Sequence, residues 1–126
     1  MRRDMELVRS LLLRLEEVNI PPGANITFYG YEDEIAVDGY EPDVIALHLF
    51  MLLDGGLLKG KNMGQGVMMT DLSWAGHEFL DSVRDGEVWR RTKDGATRAG
   101  GFTIGLLGDL AKAILKGEIV KHTGLP

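Results

Sequence analysis

Asp43-Val44-Ile45-Ala46-Leu47-His48-Leu49-Phe50-Met51-Leu52-Leu53 is the stretch that decides the fold. Only His48 interrupts its apolar residues, and they leave no polar face. Such a helix is buried on most sides, in a core or in a subunit interface. Glu41-Pro42 offers its start, because proline suits the first turn. Gly55-Gly56 ends it as a left-handed cap. The spacing therefore predicts a helix over 43–54. Leu57-Leu58 then opens an extended segment, Lys59 to Gly66 is a glycine-rich loop, and Val67 to Leu72 returns as a strand. A hairpin over 57–72 follows the helix directly.

Upstream, Met5, Val8, Leu11, Leu12, Leu15 and Val18 recur at spacings of three and four and predict a helix over 4–18. Asp4 stands at its N-cap position, and Pro21-Pro22-Gly23 stops it. Ile26 to Tyr31 and Ile35-Ala36-Val37 read as two short strands of a hairpin within 26–37. Downstream, Ser73 caps a helix over 73–84 whose apolar face is assigned to Trp74, Phe79, Leu80 and Val83. Thr92 to Gly101 reads as a polar linker, and Phe102 to Lys116 as the last helix, fraying from Gly117. A buried helix followed by a hairpin is the arrangement of winged-helix domains, with the hairpin as the wing. The expected fold is α+β and winged-helix-like, one domain over 1–126 with a helical extension from about residue 86.

Two stretches also resemble a known family. Met1-Arg2-Arg3-Asp4-Met5-Glu6-Leu7-Val8-Arg9 is similar to the opening of the domain-of-unknown-function family 2513, found in bacteria and their phages. Leu72-Ser73-Trp74-Ala75-Gly76-His77-Glu78-Phe79-Leu80-Asp81 resembles that family's Leu-Thr-Trp-x-Gly-His-Glu-Phe-Leu-Asp run. Leu52-Leu53-Asp54-Gly55-Gly56-Leu57-Leu58 is similar to a third element. The resemblance implies a winged-helix-like architecture and brings no activity with it. Two departures stand out: a longer stretch from Glu32 to Asp43 and a glycine-rich wing.

The chain has 126 residues, enough for its own core. It has no cysteine, which removes thiol nucleophiles, disulfides and Cys-type zinc sites. The longest apolar run falls well short of the roughly 20 residues a membrane span needs, and the expected location is the cytoplasm. Gly55, Gly60, Lys61 and Asn62 nearly spell a phosphate-binding loop, but Asn replaces the magnesium-binding hydroxyl and a helix precedes where a strand belongs. His77-Glu78-Phe79-Leu80-Asp81 is a near miss to a zinc helix, and its Glu and Asp read as solvent-facing. No nucleophile stands beside a base. The expectation is a protein without catalytic residues, metal or cofactor.

The net charge is -5, and its distribution matters more than its size. Between Leu15 and Leu58 there is no Lys or Arg, while nine acids lie there: Glu16, Glu17, Glu32, Asp33, Glu34, Asp38, Glu41, Asp43 and Asp54. DNA affinity rests on cations that neutralise phosphates. The 43–54 helix is therefore not expected to enter a major groove as a standard recognition helix. A nucleic-acid route remains through Arg2, Arg3, Lys59 and Lys61, and through Arg84, Arg90 and Arg91 with Trp89 as a stacking ring. A partner route runs through His48, Phe50 and Met51. The expected function is DNA-associated regulation, by the habit of the fold; the alternative is a protein-interaction or homodimerisation module.

Overall fold

The computed structural model describes residues 2–124. Their order is α1 (Met5–Glu16), β1 (Ile26–Phe28), a 3-10 turn (Asp33–Ile35), α2 (Pro42–Asp54), β2 (Leu58–Asn62), β3 (Val67–Leu72), α3 (Trp74–Val83), α4 (Gly86–Ala99) and α5 (Ile104–Thr123). Contacts gather the chain into two compact units, one ending at Glu78 and one starting at Phe79, so the division falls inside α3.

The first unit holds α1, α2 and a three-stranded antiparallel sheet in the order β1-β3-β2. Ile26 pairs with Met69 and Phe28 with Val67, while Leu58 pairs with Leu72 and Asn62 with Val67. A bulge between Lys59 and Gly60 kinks β2. Helix α1 packs on α2 and β3, and α2 on β2 and β3. Met5, Leu7, Val8, Leu11, Leu12 and Leu15 of α1 are buried, as are Ile45, Leu49 and Leu52 of α2. Helix, strand, turn, helix and two-stranded wing follow in the winged-helix order, and the fold is α+β and winged-helix-like.

The expected 26–37 hairpin does not form. The N–H groups of Tyr29 and Gly30, which a continuing ladder would use, donate instead to the Glu32 carboxylate at 2.9 Å. The chain turns there, Ile35 buries in the 3-10 turn, and β1 pairs with β3. Arg14 donates to the Asp33 carbonyl at 2.9 Å and holds that turn to α1.

Ser73 caps α3, accepting from the Gly76 N–H at 3.0 Å and donating to the Gly56 carbonyl. Trp74 does not share the inward face assigned to it; it is 81 % exposed. Gly76 occupies that face, and a Cβ there would overlap the Leu57 carbonyl oxygen.

The second unit contains a helical hairpin. The 92–101 segment is not a linker but the body of α4. Asp85 caps it by accepting from the Val88 N–H, Gly100 closes it with φ 87, and Val88, Trp89, Thr92 and Ala96 form its buried stripe. Helix α5 starts at Thr103, whose hydroxyl accepts from the Leu106 N–H, and continues past Gly117 to Thr123. It packs along α4, with Leu110 beside Gly95. Among the described residues no helix is long and apolar enough to cross a membrane.

Gly76→Ala should lower the stability of the chain by about 1–3 kcal/mol, the range for overpacking a tight contact. Denaturant unfolding measures it; an unchanged midpoint would mean that the α3 start moves freely away from Leu57.

Candidate nucleic-acid and partner interface

Three arginines of the second unit are engaged with acids. Arg84 lies 2.8 Å from Asp81. Arg90 bonds Glu87 and lies 3.3 Å from Asp94. Arg91 reaches across from α4 to Glu118 of α5 at 2.8 Å. The Arg90 guanidinium holds the Glu87 carboxyl below its ordinary range, and Arg91 does the same for Glu118. These exposed pairs contribute little stability, but they dilute the positive field a phosphate would meet. Trp89 cannot serve as a stacking ring. It is 3 % exposed, with the Lys93 ammonium 5.6 Å from the ring centroid.

The other basic residues sit on two elements. Arg2 and Arg3 are exposed ahead of α1, and Lys59 and Lys61 are exposed along β2, where Lys59 faces Asp71. Lys61 belongs to a strand, so no phosphate-loop helix follows it. The His77 ring lies 3.3 Å from Asp71, while Asp81 pairs with Arg84. The two residues thus serve different neighbours.

His48 is not a surface residue. It is 1 % exposed, and both ring nitrogens are occupied. The Asp4 backbone N–H donates to Nε2 at 2.9 Å, and Nδ1 lies 2.9 Å from the Val44 carbonyl. A backbone N–H can only donate, so Nε2 accepts and Nδ1 carries the proton. The ring is neutral, and it ties the start of α1 to α2. Of the expected partner residues, His48 is thus spent inside the unit, while Phe50 and Met51 are half-buried.

Asp4 completes this knot. One carboxylate oxygen caps α1, accepting from the Glu6 and Leu7 N–H groups, and the other accepts from the Tyr40 hydroxyl at 2.7 Å. Burial pushes the Asp4 carboxyl up, but the Tyr40 hydroxyl and the two backbone donors outweigh it and leave the group below its ordinary range. The same bond, with burial, pushes the Tyr40 hydroxyl up to about 12. The Asp4 cap is legible in the sequence; its bond to Tyr40, 36 positions away, is not.

The outward side of α2 carries Asp43, Leu47, Phe50 and Asp54 at helical spacing, opposite Ile45, His48, Leu49 and Leu52. The two aspartates are exposed and the two apolar residues half-buried. Among the described residues, Tyr29, Tyr31, Met63 and Trp74 are the exposed large apolar side chains of this unit. None of the four is a site residue on the sequence reading, which places Tyr29 and Tyr31 in a strand, Met63 in a loop and Trp74 on an inward helix face.

A small α+β unit with a helix in the recognition position and a two-stranded wing defines the winged-helix-like class. Within it, the chain belongs to the family described as Hypothetical protein (DUF2513), which matches residues 2–102. It is 27 % identical over 97 residues to an uncharacterised protein of Haemophilus influenzae, covering 74 % of this chain and 76 % of that one. No solved structure matches the chain.

Tyr40→Phe should cost about 1 kcal/mol at neutral pH, the net worth of one hydrogen bond. Asp4 has a depressed folded pKa, so its contribution is present above an unfolded value of about 3.9 and is lost as pH falls. Tyr40 has a raised one, so its contribution is present below about 10 and is lost as pH climbs toward 12. The gap between wild type and variant should therefore be widest between these limits and narrow on both sides. Urea midpoints measured across pH check this.

Proposed function

We propose that the chain is a non-enzymatic protein-interaction module, and that the outward face of α2 receives a basic, partly apolar segment of a partner protein. The observation that carries this is the Asp43-Leu47-Phe50-Asp54 face, which offers apolar surface between two carboxylates and no cation. A recognition helix needs Lys, Arg, Asn or Gln to read bases and cations to hold phosphates. The nine acids between Leu15 and Leu58 favour a partner of opposite sign and disfavour two copies meeting through this face. The non-enzymatic reading draws on the site chemistry. One surface hollow of about 320 Å³ is lined by Arg14, Glu17, Val18, Asn19 and Glu34 and has no hydroxyl or thiol nucleophile. In another of about 370 Å³, beside Lys59 and Asp71, the Thr70 hydroxyl donates to the Lys59 carbonyl and not to a base.

One observation favours a second reading. Lys59 and Lys61 are exposed on the wing strand, where a DNA backbone contact would need them. Two labelled probes separate the readings: a mixed-sequence DNA duplex, and a helical peptide of Leu and Lys with one apolar face. The peptide should bind at micromolar concentration and weaken about tenfold in Phe50→Ala. Duplex should not bind at physiological salt. Duplex binding that falls steeply with salt and is lost in Lys59→Gln/Lys61→Gln would overturn the protein-docking reading in favour of the DNA one.

A further inference from the structure

The turn after β1 presents two aromatic rings as layers. The Tyr29 and Tyr31 rings are stacked, with centroids 5.9 Å apart and planes 11° apart, inside the range of offset aromatic stacks. Tyr29 is 43 % exposed and Tyr31 69 %.

The stack is held from below. The Glu32 carboxylate takes the N–H groups of Tyr29 and Gly30 and fixes the backbone between the rings. Gly30 has φ 118, and a Cβ there would crowd the Pro42 carbonyl and Ala46 at the start of α2. At the wing, a Cβ on Gly66 would come within 2.9 Å of the Tyr29 ring, so the bare backbone at Gly66 seats that ring. Tyr29 rests on the wing, Tyr31 stacks on Tyr29, and Tyr31 keeps the larger open surface. Met63 stands at the same sheet end, its N–H bonded to the Gly66 carbonyl at 2.9 Å, and is 58 % exposed.

A preorganised ring with an open face accepts another planar group: a base, a second aromatic ring or a guanidinium. The surrounding charge decides among them. Glu32, Asp33 and Glu34 follow Tyr31 directly, with Asp38, Glu41 and Asp43 next along the chain. Arg14 bonds the Asp33 carbonyl, and the sequence holds no Lys or Arg between Leu15 and Leu58. That field repels the phosphate of a nucleotide and draws in a cation, and a guanidinium both stacks and carries charge.

We propose that Tyr31, backed by Tyr29, seats an arginine side chain of a basic partner protein. This rests on the reading of the acidic α2 region as a protein-docking surface and places an anchor beside it.

The test compares fluorescein-labelled octa-arginine, octa-lysine and an oligo-dT strand on wild type, Tyr31→Ala and Tyr31→Phe. Wild type should bind octa-arginine about two- to five-fold more tightly than octa-lysine, the scale of an exposed cation–π contact. Tyr31→Ala should abolish that preference by weakening octa-arginine more than octa-lysine, and Tyr31→Phe should keep it. A preference that survives Tyr31→Ala overturns the anchor and leaves the docking surface standing. Oligo-dT binding that needs Tyr31 overturns it in favour of a base. If neither peptide binds the folded wild type, the anchor falls, while the docking surface stands or falls with the Leu–Lys peptide.

Discussion

The bond from the Asp4 backbone N–H to Nε2 of His48 is the constraint on which the first unit depends. It joins the N-cap of one helix to the buried face of another, 44 positions on. A ring 1 % exposed must have its nitrogens satisfied, and leaving one unpaired costs about 1–3 kcal/mol. The Val44 carbonyl sets the tautomer, and the tautomer decides that Asp4 must supply a donor. The Asp4 carboxylate, held in place by the Tyr40 hydroxyl, can then cap α1 with its other oxygen. Helix start, interhelical register and the approach to α2 are one linked arrangement. The lone histidine of an apolar helix is here a joint.

Where the sequence was readable, the determinants were local. The α1 periodicity and Asp4 cap, the apolar α2 with its glycine end, the wing hairpin and the Ser73 cap all rest on residues within a few positions of one another. The failures share a different cause. Ile35-Ala36-Val37 reads as a strand paired with the first but forms none, because the Glu32 side chain, a surface acid in the sequence, takes the backbone donors of Tyr29 and Gly30. The 92–101 segment reads as a linker on composition, yet Asp85 and Gly100 bracket it as a helix and Leu110 covers Gly95. Trp74 reads as part of the apolar face with Phe79, Leu80 and Val83, yet Gly76, two positions on, takes the place against Leu57.

The candidate site was legible in one half and hidden in the other. The missing cations between Leu15 and Leu58 are visible in the primary structure and remain the strongest electrostatic fact about the chain. The neutralisation of Arg90 follows from Glu87 and Asp94 at helical spacing, but only once that segment is known to be α4. Arg91 with Glu118 needs the antiparallel course of two helices, which no spacing reveals. Trp89 changes from a candidate stacking ring to a core residue for the same reason.

Strand β2 lies at the edge of the sheet with one side of its backbone unpaired. An open edge invites a strand from another molecule, and folded proteins discourage this with lysines and bulges. Lys59, Lys61 and the irregularity between Lys59 and Gly60 supply both devices on a five-residue strand. Lysines at such positions discourage a further strand from pairing there, a use of Lys59 and Lys61 that needs no nucleic acid.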